Sequence, residues 1–182
     1  MFIQTQDTPN PQTMKFIPGV VVMPVGTQTF TKEENQGNSK LADILLELNG
    51  VEGVFFAENF IAVTKSDSSD WDSLKPIILT SMIDYFISGE PVVSIIQGER
   101  QEDEHLGNEI VKQIKEIIET RVQPAVAQDG GSIIFRDFAD GIVYVELQGA
   151  CSGCPSSTIT LKSGIENMLK HYVPEVVSVE AV

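Results

Sequence analysis

Two cysteines separated by two residues carry the most specific chemistry in this 182-residue chain, in the run Gly149-Ala150-Cys151-Ser152-Gly153-Cys154-Pro155. Sulfurs at this spacing converge on one metal atom or one edge of a cluster, and two thiolates suit a soft metal. Proline is favoured at the first helical position, which makes Cys154 the expected N-cap of a helix beginning at Pro155. A sulfur there faces unpaired backbone N–H groups and the positive end of the helix dipole, and both favour thiolate over thiol. Gly149 and Gly153 let the backbone approach closely and offer donors to an anionic group.

The number of donors then limits what the run can hold. A tetrahedral zinc site or an iron–sulfur cluster usually takes four protein ligands. Two cysteines and two histidines, His105 and His171, are all the thiols and imidazoles the chain offers. His105 follows an acidic stretch, and His171 lies at the far end of the helix that Cys154 begins. Seventeen residues of helix extend about 25 Å, beyond reach of the same metal. The simplest completion is a second copy of the chain, each supplying Cys151 and Cys154 to a site that is exposed and readily surrendered. Three alternatives stand beside it on the residues alone: a thioredoxin-like redox pair, a shared zinc site and a pair of buried core cysteines. Only 28 residues follow Cys154, too few for the remaining sheet of a thioredoxin-like fold. Glycine-flanked cysteines at a helix start are also a poor way to fill a core.

The elements that position this run follow from periodicity. A helix is expected from Leu106 to Arg121, striped by Ile110, Ile114, Ile117 and Ile118. Pro124 interrupts it, leaving one further turn to Gln128. Asp129-Gly130-Gly131 turns the chain, either as a plain connector or by shaping the cysteine loop from behind. Strands at Ser132 to Phe138 and Ile142 to Gln148 form a hairpin whose Val143, Val145 and Leu147 face the core. After the cysteine run, Leu161, Ile165, Met168, Leu169 and Tyr172 stripe a helix, Pro174 ends it, and Val176 to Ala181 is a last strand. The order is α-β-β-α-β. His171 reads as a surface residue near that helix's C-terminus.

The N-terminal part has neither cysteine nor histidine. It opens with a strand at Phe2 to Gln6 and a rigid turn at Thr8-Pro9-Asn10-Pro11. Pro18-Gly19 marks a further turn. Helices are expected at Lys40 to Leu48 and from Trp71 to Ser88, with strands at Val54 to Ala57 and Phe60 to Lys65 between them. Asn38 or Ser39 caps the first helix, Ser69 or Asp70 the second, and Gly89 closes the second. Trp71 and Phe55-Phe56 read as packing residues. The fold class is α/β (α+β), as two small mixed domains: residues 1–88, an acidic linker at 89–104, and residues 105–182. The linker carries five acids against one base, as a solvated spacer does, although Val92 to Ile96 is apolar enough to dock.

Composition narrows the functions. Twelve basic against 26 acidic side chains leave a net charge of −14, which opposes nucleic-acid binding. No apolar run reaches the length of a membrane helix. Two cysteines make no disulfide framework, which favours a reducing compartment. No acid, base or nucleophile constellation marks the chain as an enzyme.

The stretches QDGGSIIF, DGIVYVELQGACSGCPSS and TLKSGIENMLKHYVPEV resemble the NifU C-terminal domain. The opening TPNPQTMKFIPG, with DWDSLKPIILTSMIDYFISGEP, is similar to the N-terminal domain of the Nfu branch. Together they cover nearly all of the chain outside the linker. The resemblance implies an iron–sulfur scaffold or carrier that holds a labile [4Fe–4S] cluster between two subunits and delivers it to recipient apoproteins. Its ligands would be Cys151 and Cys154, its partners a second copy when loaded, the recipients, and upstream cluster-assembly proteins. The domain-like start at Phe2 points to a bacterial cytoplasm, and a mature eukaryotic form would belong in the mitochondrial matrix.

Overall fold

The computed structural model describes residues 1–33, 38–93, 108–153 and 155–182, with only the backbone for residues 155–157. The chain divides into two compact units, Met1–Glu99 and Arg100–Val182. Both are mixed α/β.

The first unit is a five-stranded sheet with two helices. Its strands are β1 (Gln4–Asp7), β2 (Thr13–Ile17), β3 (Gln28–Thr31), β4 (Val51–Phe56) and β5 (Ile61–Lys65), ordered β1-β2-β5-β4-β3. Each neighbouring pair is antiparallel. Helix α1 (Lys40–Glu47) starts at Ser39, whose hydroxyl accepts from the Ala42 N–H. Helix α2 (Trp71–Ser88) starts at Asp70 and stops at Gly89, whose positive φ of 72° admits the left-handed cap. These helices bury Leu41, Leu45, Ile78 and Met82 with Phe16, Phe30 and Phe56 of the sheet. Phe55 and Phe60 are buried too, their rings 5.9 Å apart.

Strands β2 and β3 are absent from the sequence reading. In β2 only Met14 and Phe16 alternate with Thr13 and Lys15, and Lys15 is almost fully buried. Its ammonium stands 4.3 Å above the Phe60 ring, so the polar face of the strand is covered as well. In β3, Phe30 is the lone apolar residue among Gln28, Thr29 and Thr31. The turn before β2 is rigid, as expected. The Thr8 hydroxyl donates to the Asn10 and Thr13 carbonyls at 2.9 and 2.8 Å, and the Trp71 indole N–H donates to the Pro11 carbonyl at 3.0 Å.

The first residues expected in the linker belong to this unit. The Lys40 ammonium lies 2.6 Å from a Glu90 carboxylate oxygen. The Tyr85 hydroxyl donates to the Pro91 carbonyl at 2.9 Å and the Ser39 hydroxyl to that of Val92 at 2.5 Å. Val92 and Val93 pack on the core. The rest of the linker expectation, with Leu106 and His105, lies outside the described residues.

The second unit begins with one long helical rod: α3 (Glu109–Ile117), a π-helical turn (Ile118–Val122) and α4 (Gln123–Gln128). Strand β6 (Gly131–Ala139) and β7 (Ile142–Gly149) form an antiparallel hairpin, and α5 (Pro155–Tyr172) crosses to β8 (Ser178–Ala181), parallel to β7. Asp140 and Gly141 both take positive φ, 52° and 77°, the geometry of a tight hairpin turn. Val143 and Val145 face the core with Ile114, Val126, Ile165 and Leu169. Tyr172, expected on the buried stripe of α5, is 45% exposed, and Val173 is buried instead. The Tyr172 ring lies under the Arg121 guanidinium at 4.7 Å, so it spans the outside of two helices.

Candidate metal centre

The cysteine loop is laid across the start of β6. Gly131 and Gly149 are paired at the open end of the hairpin. Gly130 and Gly149 hold positive φ of 79° and 68°, which an L side chain rarely adopts. From there the Ala150 N–H donates to the Gly130 carbonyl at 3.1 Å and the Ser152 N–H to that of Gly149 at 3.0 Å. Gly153 takes φ of 74°, and α5 begins at Pro155. The Asp129-Gly130-Gly131 turn therefore does more than connect α4 to β6: it is the surface on which the loop rests.

Cys151 is buried, only 4% exposed, and belongs to the apolar cluster of its unit. Its Sγ lies over the Cα of Gly131. A Cβ at position 131 would stand 2.6 Å from that sulfur and 2.8 Å from the Gln148 carbonyl oxygen, closer than van der Waals contact permits. Glycine at 131 is thus required by the thiol and by the backbone of β7 together.

Gln123 holds the same segment from the other side. Its side-chain Oε1 accepts from the Ile133 N–H at 3.0 Å and from the Ser132 hydroxyl at 3.3 Å. The π turn places it there. Pro124 has no N–H to donate, and in a regular helix its ring would meet the carbonyl of residue 120. Widening the turn removes both conflicts, with the Gln123 N–H reaching back to the Ile118 carbonyl in the i to i−5 pattern of a π-helix. The proline expected to interrupt the helix is instead absorbed by it. Gln123 was missed in the sequence reading. Its signal was a polar residue directly before a mid-helix proline.

On the sheet face opposite Val143 and Val145, Glu146 accepts from the Gln148 amide at 3.0 Å and from Arg136 Nε at 2.7 Å. The Gln148 hydrogen bond, and then Arg136, hold its carboxyl below the usual range, with partial burial opposing them. This fixes the end of β7 from which the loop departs.

Of the other residues singled out from the sequence, Cys154 and His105 lie outside the described residues. His171 is exposed on the last turn of α5, its ring 5.0 Å from that of Tyr172. It is the last residue but one of α5, about 25 Å of helix from the loop. The fold therefore gathers Gly130, Gly131, Gln123 and Cys151, and leaves His171 apart. Among the described residues no three of His, Cys, Asp and Glu converge as a metal site. The donor set itself is soft: a thiol in a glycine-bracketed loop, with a second cysteine three residues on, suits iron–sulfur cargo or zinc.

Residues 114–180 match the model of the NifU-like domain, and residues 3–89 match the model described as scaffold protein Nfu/NifU N terminal. The chain belongs to the NifU-like family, in its Nfu branch. A human relative, named NFU1 iron-sulfur cluster scaffold homolog, mitochondrial, is 48% identical across the whole chain, which spans 72% of that protein. NifU-like protein 4, mitochondrial, of Arabidopsis thaliana is 49% identical over 99% of the chain, which spans 65% of it. Among solved structures, a NifU-like protein from Saccharomyces cerevisiae aligns with 52% of this chain and 85% of its own, at 26% identity and a TM-score of 0.48.

Proposed function

We propose that this Nfu-type chain is an iron–sulfur cluster carrier. It holds one labile [4Fe–4S] cluster between two copies, through Cys151 and Cys154 of each, and passes it to recipient apoproteins. The observation that carries this reading is the loop itself. A cysteine at its start is bracketed by left-handed glycines between β7 and α5, inside the unit that matches the NifU-like domain. Ligand arithmetic agrees: one copy offers two thiolates where a cluster takes four. The human relative is named as an iron–sulfur cluster scaffold homolog, and this chain takes the same role here. The cluster is cargo, assembled upstream by another protein, so the chain needs no catalytic group of its own. The unit at the N-terminus is proposed to hold a recipient while the cluster unit works. Reduced thiols require a reducing compartment, and the names of both relatives add the mitochondrion to the bacterial cytoplasm as its place.

Anaerobic native mass spectrometry after incubation with iron and sulfide tests the reading. The expected species is a dimer bearing a single four-iron, four-sulfide unit, abolished by Cys151→Ala. A monomer that takes up no iron and only closes a Cys151–Cys154 disulfide would overturn the carrier in favour of a thiol–disulfide oxidoreductase.

A further inference from the structure

The thiol assigned to the cargo is buried inside its own unit. Cys151 is 4% exposed, its side chain sits in the apolar cluster with Val145 and Leu169, and its sulfur rests over Gly131. A cluster shared by two copies needs that sulfur at the outer surface, because the iron must be reached from both chains at once. We infer that Gly131 is a positioning residue: its missing side chain forms a slot that holds the Cys151 thiol inward in the cargo-free chain, and cluster capture draws the thiol out.

The loop is built for such a movement. Its stem is tied by the Ala150 N–H to the Gly130 carbonyl, and β6 beneath it is clamped by Gln123. Beyond Cys151, Gly153 is a left-handed hinge with open space where a Cβ would stand. Rotation about the Cys151 side chain and the Gly153 hinge frees the sulfur while the stem stays in place. On capture the thiol gives its proton to solvent and its sulfur displaces a ligand of the donor from an iron of an already assembled cluster, with no electron transferred. On delivery the recipient's thiolates replace it at iron, and the reprotonated thiol returns to the slot. Reburial of the sulfur in the apolar cluster offsets part of the lost iron–sulfur bonding, so the slot favours release.

The slot is a matter of geometry, and only its meaning for cargo rests on the carrier reading. The test uses the metal-free full chain with Cys154→Ser, leaving one thiol, and follows iodoacetamide labelling by intact mass. Local burial is expected to slow labelling of Cys151 about tenfold or more relative to the same chain in concentrated urea. Gly131→Ala fills the slot and is expected to bring the rate to within a few-fold of the urea value while circular dichroism keeps its folded form. Because a Cβ there also meets the Gln148 carbonyl, Gln123→Ala gives a second reading: it loosens the start of β6 without adding an atom, and labelling is expected to rise by a smaller factor. A folded chain that labels as fast as the unfolded one overturns the slot. No iron is present, so the two readings separate. Slow labelling in a chain that never takes up a cluster leaves the slot standing and removes the carrier. Fast labelling in a chain that loads normally does the reverse.

Discussion

The two units solve the same packing problem with different side chains. In the first, Phe16, Phe30 and Phe56 are buried between a five-stranded sheet and two helices. The buried cluster of the second is aliphatic among the described residues, with Cys151 as its one exception, and Phe135 and Phe138 stand only partly buried at its margin. Aromatic rings bring large areas and fixed geometry to a core. A three-stranded sheet covered by Ile, Val and Leu has less to spare. The residue proposed to hold the cargo is also part of what holds the second unit together. On that proposal, stability and function are joined in the second unit.

Core truncation is the strongest way to break that contrast. Phe56→Ala removes a fully buried ring tilted against that of Phe30 at 4.9 Å, at a cost of about 3–5 kcal/mol. Leu169→Ala empties a fully buried position facing Val143 and Val145 and costs about 2–5 kcal/mol. Units this small have little stability in reserve, so each change is expected to unfold its own unit. Hydrogen exchange resolved by mass spectrometry should show which amides lose protection. Iron bound per chain after reconstitution should stay normal in Phe56→Ala and collapse in Leu169→Ala. Loss of loading in Phe56→Ala would mean that the units do not stand apart.

A smaller change sharpens the boundary between them. Ser39 is fully buried. Its hydroxyl accepts from the Ala42 N–H at 3.2 Å and donates to the Val92 carbonyl at 2.5 Å. It caps α1 and fastens the chain leaving α2 in one side chain. Ser39→Ala is expected to cost about 1–2 kcal/mol, the upper part of the range for a lost cap, because the half-buried Val92 carbonyl also loses its donor. The urea midpoint of the first unit should fall accordingly, and amide exchange at Val92 and Val93 should quicken. Unchanged exchange there would show that these residues are held by core packing and by the Tyr85 and Lys40 contacts of their neighbours.

How much of this was legible in the residues varied with the kind of signal. Helix α2 was readable from end to end, because Asp70 and Gly89 punctuate it chemically. The hairpin face of Val143 and Val145 followed from simple alternation. The family resemblance was legible from the loop and its flanks, and the cysteine spacing already implied a two-donor site. Strand β2 was hidden because Met14 and Phe16 alone make too short an alternation, and what buries Lys15 between them is the Phe60 ring, 45 positions away. The continuous rod through Pro124 was hidden because a proline reads as a stop, whereas a π turn absorbs it. The inward thiol was hidden most deeply. Nothing in a CxxC run tells which way a sulfur points, and the glycine that decides it lies 20 residues earlier, at 131.

The smallest expected effect concerns how α5 is fastened to β8. Glu166 accepts from the Lys170 ammonium at 2.6 Å and from the Val179 N–H at 3.2 Å. The Lys170 hydrogen bond, followed by that from the Val179 backbone, holds its carboxyl below the ordinary glutamate range. A carboxyl whose folded value is lowered binds its proton more readily in the unfolded chain. Its contribution to stability is therefore complete above about pH 5, where even the unfolded chain is ionised, and disappears as pH falls through the lowered folded value. Glu166→Gln removes the titration but keeps a weaker acceptor for Val179. The urea midpoint of the second unit should then lie slightly below that of the parent near neutrality, by less than the loss at Ser39, and the gap should close in acid. Glu146 titrates in both chains and cancels from the difference. A gap that persists unchanged into acid would assign the loss to the shape of the side chain, and would leave α5 joined to β8 by packing and the Lys162–Glu180 pair at 2.9 Å.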